Sequence, residues 1–548
     1  MAEEFTPEER AALAPYVTNL EGPVFALINL PEVVKGALFA RYSRSPKSLR
    51  RLFLDEFLAG DVRGGEAPPL TTPRSARGEA PPLISPRPAT PAGIARAEQL
   101  YERVFFEYGD DSVAQLGGVH VACEGASNIL TKVLEWGRLM AYLEQSTRYI
   151  PYDDRPGGRW RYHVPVELPG ALGERYVATL DRAFETYVAW LPRLRDFYAA
   201  RFPRDARDSE SVYRMTIRAK ALDALRGLLP AATVSNVGIY GTGQAYEQLL
   251  LRMRAHPLAE VRTCADLMLG ELRKVIPAFL RRVDLPGRGG AWSDYLAERR
   301  ETMQKTAERL LGGIQPELRD EVTLTDFDPE GEVKVVAAAL YAASTLPDDQ
   351  LLAIARQLTH DERLGVLQAY VGTRGNRRHK PGRAFERTTY RFDVLADYGA
   401  FRDLQRHRLL TLEWQRLTPR HGWVIPAAVE EAGGRPDWER VMAESVALHD
   451  AIGAVAPAEV ASYAVAMAYR VRFYMEMNAR EAMHMIELRS APQGHPSYRR
   501  ICQAMHRLIG AQAGHRAIAA AMRFADHSEV ALERLEAERA AERRRTQP

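Results

Sequence analysis

The sequence has few cysteines and little net charge. Its three cysteines, Cys123, Cys264 and Cys502, lie far apart and form no C-x-x-C pair. This spacing excludes a disulfide framework and a zinc site built on paired thiols, and it predicts a reducing, cytoplasmic location. The net charge is only +3, from 74 basic and 71 acidic side chains. The overall charge of the chain therefore gives no indication of a nucleic-acid partner.

Metal-binding spacing and long apolar runs are also missing. The 13 histidines include no H-E-x-x-H pair, so we predict no metal site. No apolar run is long enough to span a membrane, and the start, Met-Ala-Glu-Glu-Phe, lacks the basic region of a secretory signal. We therefore expect no membrane partner and no secretion.

The length and composition predict several segments. At 548 residues the chain is too long for one ordinary core, so two or more domains are expected. Residues 60–93 are rich in proline and glycine, and Arg63-Gly-Gly-Glu-Ala-Pro-Pro-Leu70 recurs there as Arg77-Gly-Glu-Ala-Pro-Pro-Leu83. Such a stretch cannot form a regular helix and predicts a mobile loop. Residues 529–548 are rich in Glu, Arg and Ala and predict a charged, solvated tail.

A weak internal duplication organises the rest of the chain. Three segments of the first half resemble three of the second half in the same order. The pairs are Glu32 to Ser43 with Glu332 to Ser344, Val119 to Arg138 with Tyr390 to Arg408, and Leu251 to Pro257 with Leu488 to Pro496. Chance similarity between alanine-rich helices explains one pair more easily than three. The pattern predicts one domain copy at 1–290, a linker at 291–321 and a second copy at 322–528.

Periodicity predicts a mixed α/β content. Alternating or β-branched residues indicate strands over 119–123 and 388–395. Helical periodicity is found over 125–147, 244–283, 436–451 and 474–489. A connecting helix is predicted from Trp292 to Leu311.

Two arginine–histidine segments near the C-terminus are the most informative. The first is Arg406-His407-Arg408, and the second runs from Asn478 to Arg489. Arginine keeps its proton at working pH and offers a planar fork of donors, which suits phosphate. Apolar residues interleave both segments, so we predict that both lie on helices and bind a phosphorylated ligand. The alternative for each segment is a basic face in water, whose ion pairs contribute little.

These residues resemble the flavin-dependent thymidylate synthases. That family has an R-H-R signature followed by a Glu and a Ser-x-Arg-Tyr, and further on an N-x-R, a His or Asn, and a Leu-Arg. The second copy matches R-H-R and the downstream string at Arg406, His407, Arg408, Asn478, Arg480, His484, Leu488 and Arg489. The first copy matches the complementary piece at Glu144, Ser146, Arg148 and Tyr149, and it has an Arg-x-x-Leu-Pro that begins at Arg226.

Each copy departs from the signature where the other copy keeps it. The second copy has Trp414, Arg416 and Thr418 at the Glu and Ser-x-Arg positions, and the first copy keeps only Arg138 of R-H-R. Members of the family are tetramers whose sites are assembled from several subunits. The resemblance therefore implies composite sites in a homodimer of this chain, with four domain copies in a pseudo-tetramer.

The resemblance implies an α/β (α+β), helix-rich fold in two tandem copies, and an enzyme that methylates dUMP to dTMP. FAD would be the cofactor, and methylenetetrahydrofolate and NADPH would be co-substrates. Arg489 would be the catalytic residue at the pyrimidine. By the same resemblance, Ser146, Thr147, Arg148, Arg226 and Arg489 would hold the nucleotide. The residues expected to hold FAD are Arg406, His407, Arg408, Asn478, Arg480, His484, Glu144 and Arg138. The alternative is a degenerate relative that binds a nucleotide or flavin, as sensor or assembly partner, without turnover.

Overall fold

The computed structural model describes residues 4–30, 34, 35, 38, 39, 42, 45–58 and 117–546. The predicted loop at 60–93 lies outside these residues, as does about half of the first repeat segment, Glu32 to Ser43. Among the described residues, no helix is long and apolar enough to cross a membrane.

Strands and helices alternate in groups along the chain. The strands are β1 (Val24–Leu27), β2 (Gly118–Ser127), β3 (Met140–Glu144), β4 (Val234–Thr242), β5 (Val322–Phe327), β6 (Thr389–Asp397), β7 (Thr411–Trp414) and β8 (Arg470–Asn478). The α-helices are α1 (Pro7–Leu13), α2 (Leu49–Phe57), α3 (Asn128–Leu134), α4 (Gly170–Arg201), α5 (Glu210–Leu225), α6 (Gly243–Arg254), α7 (Ala259–Arg273), α8 (Ala291–Leu311), α9 (Gly331–Tyr341), α10 (Asp348–Gln357), α11 (His360–Val371), α12 (Tyr398–Leu404), α13 (Ala427–Glu431), α14 (Arg435–Gly453), α15 (Ala458–Ala461), α16 (Ala479–Arg489), α17 (Pro496–Ala511), α18 (Arg516–Ala521) and α19 (Leu535–Thr546). Short 3₁₀ or π turns span Pro156–Gly158, Arg226–Leu228, Pro277–Leu280, Pro286–Gly290, Arg383–Arg387, Pro419–His421 and Ser462–Ala464.

Two antiparallel sheets have the same strand order. The first is β1-β2-β4-β3 and the second is β5-β6-β8-β7. Ile239 of β4 pairs with Val121 and Tyr142. Met475 of β8 pairs in the same way with the equivalent residues of β6 and β7, Phe392 and Leu412. The shared order and register confirm the predicted duplication and the α/β fold.

The chain divides into two compact units that interleave along the sequence. The first contains 1–146, 156–165 and 234–312, and the second contains 147–155, 166–233 and 313–548. Each unit contains one sheet. Helices α4 and α5 lie within the first copy in sequence but belong to the second unit, where α4 packs on α14. The predicted boundaries at 290, 321 and 528 stay predictions.

Equivalent segments of the two copies meet inside the second unit. The strand register equates Pro230 with Ala466, and these two residues form an antiparallel bridge. On either side, Ala231 N donates to Val465 O at 2.8 Å and Met467 N donates to Leu229 O at 2.9 Å. This exchange is a local two-fold relation, and it places the turn that starts at Arg226 beside residues of the second copy.

Some predicted elements are confirmed. Strand β2 covers the predicted 119–123, and β6 covers the predicted 388–395 except for its first residue. Helix α14 covers 436–451, and α8 spans the predicted connecting helix. The predicted helix over 244–283 is two helices, α6 and α7, because the chain turns at His256-Pro257 and proline cannot continue a helix.

Three predicted helices are wrong in part. Residues 474–478 are the end of β8, and the helix begins only at Ala479. Residues 125–147 contain the end of β2, the short α3 and β3. Arg406-His407-Arg408 lies in the turn between α12 and β7, not on a helix. The leucines that suggested a helix there follow a strand pattern, since Leu410 and Leu412 are buried while Leu409 is exposed.

Candidate functional site

An arginine cluster in the second unit surrounds two aspartates. Arg226 Nη1 lies 3.4 Å from Asp403 Oδ2, and Arg148 Nε lies 3.0 Å from Asp223 Oδ1. Arg226 begins the turn after α5, and Asp403 is on α12. Both arginines come from the first copy, while Asp403 comes from the second. The unit therefore brings together residues that the two copies keep separately.

Arg489 and Arg406 add the second copy's arginines to this cluster. The Arg489 guanidinium lies 5.6 Å from the centre of the Tyr498 ring, and the Arg148 guanidinium lies 5.5 Å from the same ring. Arg406 is close enough to help lower the pKa of Asp403. Four predicted ligand-binding arginines thus share one electrostatic environment.

The cluster keeps its charges. Burial acts to raise the pKa of Asp403, but the four arginines outweigh it and hold this pKa well below its usual range. Burial opposes the charge of Arg148, yet Asp223 and other anionic partners raise its pKa. Four guanidinium groups and two carboxylates leave an excess of two positive charges. Such an excess suits a phosphate monoester, which carries about −1.5 to −2 at pH 7.

Gly399, in the first turn of α12, allows the close approach of Arg226. A Cβ at this position would lie 2.8 Å from Arg226 Nε and 3.0 Å from Cζ. Any larger residue would push the guanidinium away from Asp403, so the local sequence at the start of α12 helps to place Arg226.

His407 links Arg489 to a buried carboxylate. Arg489 Nε donates to His407 Nε2 at 3.0 Å. Since arginine can only donate, Nε2 carries the lone pair and Nδ1 carries the proton. Nδ1–H then donates to Glu481 Oε1 at 3.2 Å. The sequence comparison did not identify Glu481, which lies three residues after Asn478 in the predicted binding string.

The imidazoles at this place are neutral at pH 7. Burial and three nearby cations hold the pKa of His407 well below its usual range. Burial lowers the pKa of His484 to about 4, although Glu481 acts in the opposite direction. Burial also raises the pKa of Glu481.

His407, Glu481 and His484 could also hold a metal ion. One ligand atom from each lies within 4.8 Å of the others. The hydrogen bonds argue against this use, because an ion on Nδ1 would displace its proton and an ion on Nε2 would displace Arg489. The predicted absence of a metal stays a prediction.

Other predicted flavin-binding side chains in the second unit are bonded within the chain. Asn478 Oδ1 accepts from Glu481 N at 2.9 Å and so caps α16. Arg480 donates to Pro381 O at 3.0 Å and to Glu386 Oε1 at 3.3 Å. Arg408 is exposed to solvent.

The remaining predicted residues lie at or within the first unit. Glu144 is buried and lies 3.3 Å from Lys132 Nζ, and Arg138 is exposed. Ser146 ends one segment of that unit, and Thr147, which is buried, begins a segment of the second unit.

Among the described residues of the first unit, the positions equivalent to those around His407 carry other side chains. The shared burial pattern and register place Gly137 at the position of His407, and Gln244 and Gln248 at those of Arg480 and His484. When the same register is continued through α6, Met253 of the first copy is equivalent to Arg489 of the second. The repeat found in the sequence aligned Leu251 with Leu488 and therefore Arg252 with Arg489, so it differs from the structural register by one residue. The paired histidines match in geometry, since His256 Nδ1 and His495 Nδ1 each accept from the backbone N–H two residues on, at 3.2 Å in both copies.

A cavity of about 570 Å³ adjoins the arginine cluster in the second unit. Asp223, Arg226 and His495 form part of its wall. Lys220 and Glu533 also line it, and they pair at 2.8 Å. Part of the predicted tail is ordered as α19, where Arg539 Nε lies 2.5 Å from Asp208 Oδ1.

Comparison with known proteins shows which family the chain belongs to. The sequence model of the thymidylate synthase complementing protein family matches twice, at residues 77–278 and 323–514. A UPF0159 protein of Chlamydia muridarum is 38% identical over 98% of both chains. A UPF0159 protein of Thermoplasma acidophilum is 29% identical over 81% of this chain and 92% of that one.

Two further proteins are similar over part of the chain. A flavin-dependent thymidylate synthase of a Mycobacterium species is 29% identical over 32% of this chain and 67% of that one. The solved structure of a UMP/dUMP methylase PolB from Streptomyces cacaoi, bound with 5-Br dUMP, matches 38% of this chain and 100% of that one, at 19% identity and a TM-score of 0.29. Because the family's sequence model covers both copies, the chain belongs to the thymidylate synthase complementing protein family, that of the flavin-dependent thymidylate synthases.

Proposed function

We propose that the chain is an FAD-dependent thymidylate synthase or a close relative. It would methylate dUMP to dTMP, with methylenetetrahydrofolate as carbon donor and NADPH as reductant. The observation that supports this best is the composite cluster, in which Arg148 and Arg226 of the first copy share one environment with Arg406 and Arg489 of the second.

The charges in the cluster suit a nucleotide monophosphate. Arg148 and Arg226 would hold the phosphate by charge-assisted hydrogen bonds, which are stronger than neutral ones. Asp223 and Asp403 would keep these guanidinium groups in place and limit the excess charge. Ser146 and Thr147, directly before Arg148, would offer hydroxyl groups to the same nucleotide.

Arg489 would meet the pyrimidine. Its Nε is held by His407 and its guanidinium packs on Tyr498, which leaves the terminal nitrogens to donate to a ring carbonyl. A fixed positive charge there would stabilise the negative charge that develops on the pyrimidine ring during the methylation of dUMP.

The residues around His407 fit FAD in part. Arg406, Arg408 and His484 offer donors to a diphosphate or an isoalloxazine ring. Arg480 would have to give up its hydrogen bond to Glu386 before it could contact FAD. Bound FAD would supply the hydride chemistry, and the protein would supply binding and orientation. Glu144 and Arg138 of the first unit stay proposed contacts on the resemblance alone.

The second candidate is a protein that binds a nucleotide or flavin without turnover. Its support is specific: Asn478, Arg480 and His407 are bonded to other groups of the chain, and the first unit has Gly137 where the second has His407. A flavin contact would have to replace some of these bonds.

One experiment separates the two candidates. The protein is purified, its flavin absorbance is recorded, and dTMP formation is measured with dUMP, methylenetetrahydrofolate and NADPH. The enzyme proposal expects a flavin spectrum and dTMP that depends on all three substrates. Binding of FAD or dUMP without any dTMP supports the second candidate, and binding of neither ligand contradicts both.

A further inference from the structure

Glu481 has no role in the signature that the chain resembles, yet it is built into the candidate site. It lies in the first turn of α16, and its side chain is only 5% exposed. Its backbone N–H is capped by Asn478, and its carboxylate faces His407 at 3.2 Å. The end of the same helix carries Arg489, which donates to the other nitrogen of His407 at 3.0 Å.

We propose that Glu481 is a positioning residue that acts through His407 to hold Arg489. Its carboxylate fixes the proton on His407 Nδ1, so that the Nε2 lone pair faces Arg489 Nε. The catalytic consequence rests on the proposed function, in which Arg489 meets the pyrimidine, whereas the structural part concerns the imidazole alone.

The reason is the donor and acceptor inventory of a neutral imidazole. One ring nitrogen carries a proton and the other accepts. If no acceptor faced Nδ1, the proton could move to Nε2 and would then confront the N–H of Arg489. Two donors would oppose each other in a buried place, and the Arg489 side chain would lose its anchor.

The surrounding charges fit a carboxylate at this position. Burial raises the pKa of Glu481, and the cations Lys380, Arg480 and Arg408 face it and act in the opposite direction. The N-terminus of α16 also favours the charged carboxylate, because the first turn of a helix carries partial positive charge. Arg489, Arg408 and Lys380 face His407 and favour its neutral form.

A metal ion on the same side chains would require a different proton arrangement. An ion bound by His407 Nδ1, Glu481 and His484 would need the lone pair on Nδ1 and the proton on Nε2. Arg489 Nε could not donate to such a ring. The positioning role and an ion on Nδ1 therefore predict opposite tautomers, and the zinc content separates the positioning role from an ion on Nε2.

The test compares wild-type protein with Glu481→Leu and Glu481→Gln. Protein labelled with ¹⁵N in histidine reports the tautomer of His407, whose signals are assigned by their loss in His407→Gln. Zinc content, melting temperature and dUMP affinity are measured on the same samples. Glu481→Gln is the matched control, since its amide oxygen still accepts from Nδ1–H.

The proposal expects the Nδ1–H tautomer in the wild type and in Glu481→Gln, and its loss in Glu481→Leu. It expects dUMP affinity to fall about tenfold in Glu481→Leu, the effect of one lost hydrogen bond, and less than about threefold in Glu481→Gln. If Glu481→Leu does not fold, the wild-type and Glu481→Gln spectra still decide the tautomer.

Several results would overturn it. These are an Nε2–H tautomer in the wild type, stoichiometric zinc that Glu481→Leu removes, and dUMP affinity that is unchanged when the tautomer changes. If the wild type binds no dUMP at all, the proposed function fails, while the tautomer measurement still decides the role of Glu481 toward His407.

Discussion

Asp403 shows how a single charge can hold several arginines. It pairs with Arg226 and lies within the field of three more guanidinium groups, and its pKa is held well below the usual range. It lies at the end of α12, three residues before Arg406, so its spacing from a predicted ligand-binding arginine could have marked it in the sequence. Asp223 has the same spacing before Arg226 and could have been recognised in the same way, whereas no predicted ligand-binding residue lies as close to Tyr498 in the sequence.

The first prediction concerns the stability that Asp403 contributes. Asp403→Asn should lower the free energy of unfolding at pH 7 by about 1–3 kcal/mol, because Arg226 then keeps a buried charge without its ion-pair partner. A carboxyl group with a depressed folded pKa stabilises at pH values above its unfolded pKa, near 3.9, and loses this contribution as pH falls through the folded value. The difference between variant and wild type should therefore shrink below about pH 4.

Urea unfolding from pH 7 down to pH 3 measures this difference. Asp266→Asn is a suitable control, since Asp266 is 64% exposed and its pair with Arg254 should contribute less than about 1 kcal/mol. An Asp403→Asn effect that stays constant over the whole range would contradict the assignment.

The second prediction uses the low pKa of His484. Its folded pKa of about 4 lies below the unfolded value of 6.5, so the unfolded chain binds the proton first. The free energy of unfolding should fall as pH drops from 6.5 toward 4, by about 1–2 kcal/mol after allowance for solvent screening.

His484→Gln should remove this part of the pH dependence. Glutamine is a fair replacement, because Gln248 stands at the equivalent position of the first copy. Identical pH profiles for variant and wild type would argue against a buried neutral His484.

At the scale of elements, the sequence predicted two strands and two long helices at the right places, but it did not predict the longest helix, α4. The sequence patterns located β2, β6, α8 and α14, of which β6 and α14 have a regular buried face, whereas α8 is largely exposed. Periodicity failed at Arg406-His407-Arg408, where buried leucines of a four-residue strand resemble a helical pattern. It also failed before Ala479, because the strand β8 and the helix α16 join at one capping residue, and the tertiary pairing of β8 with β6 decides where the strand ends.

The third prediction separates the capping role of Asn478 from a flavin contact. Asn478→Ala should lower the free energy of unfolding by about 1 kcal/mol, the usual loss for an N-cap. Asn478→Thr should keep most of this stability, because Thr242 caps α6 at the equivalent place. If Asn478 also contacts FAD, both variants should bind FAD more weakly. Unchanged stability in Asn478→Ala would contradict the cap, and unchanged flavin affinity in both variants would contradict the flavin contact.

At the scale of the whole molecule, the duplication was readable from the sequence because three segments kept their order. The residue-by-residue register of the two copies was not readable from the sequence. The reason is that β2 contains one extra residue near Gly125, and its pairing with β4 shifts between Cys123 and Ala126. The interleaving of the two units was also hidden, because no local pattern tells whether α4 and α5 pack with the rest of their own copy or with the second copy.

The fourth prediction is that the chain forms a dimer. It rests on the family's multi-subunit sites and on the first unit's lack of the side chains around His407. Light scattering should give about twice the chain mass of 61.5 kDa at micromolar concentration. Isologous pairing would be the simplest closed symmetry. A monomer mass that persists across this range would count against the dimer.

The central claim is that one site draws its arginines from both copies, and a double-mutant cycle tests it most directly. The affinities for dUMP and FAD are measured for Arg148→Ala, Arg406→Ala and the double variant, with Arg207→Ala as control, since Arg207 is 81% exposed and has no proposed contact with either ligand. Each of the first two should lose about one to two decades of affinity, as expected for charge-assisted hydrogen bonds. Because both arginines act on one ligand environment around Asp403, the losses should be non-additive by about 0.5–3 kcal/mol. Additive losses, with Arg148→Ala leaving dUMP binding intact and Arg406→Ala affecting FAD alone, would contradict the composite site.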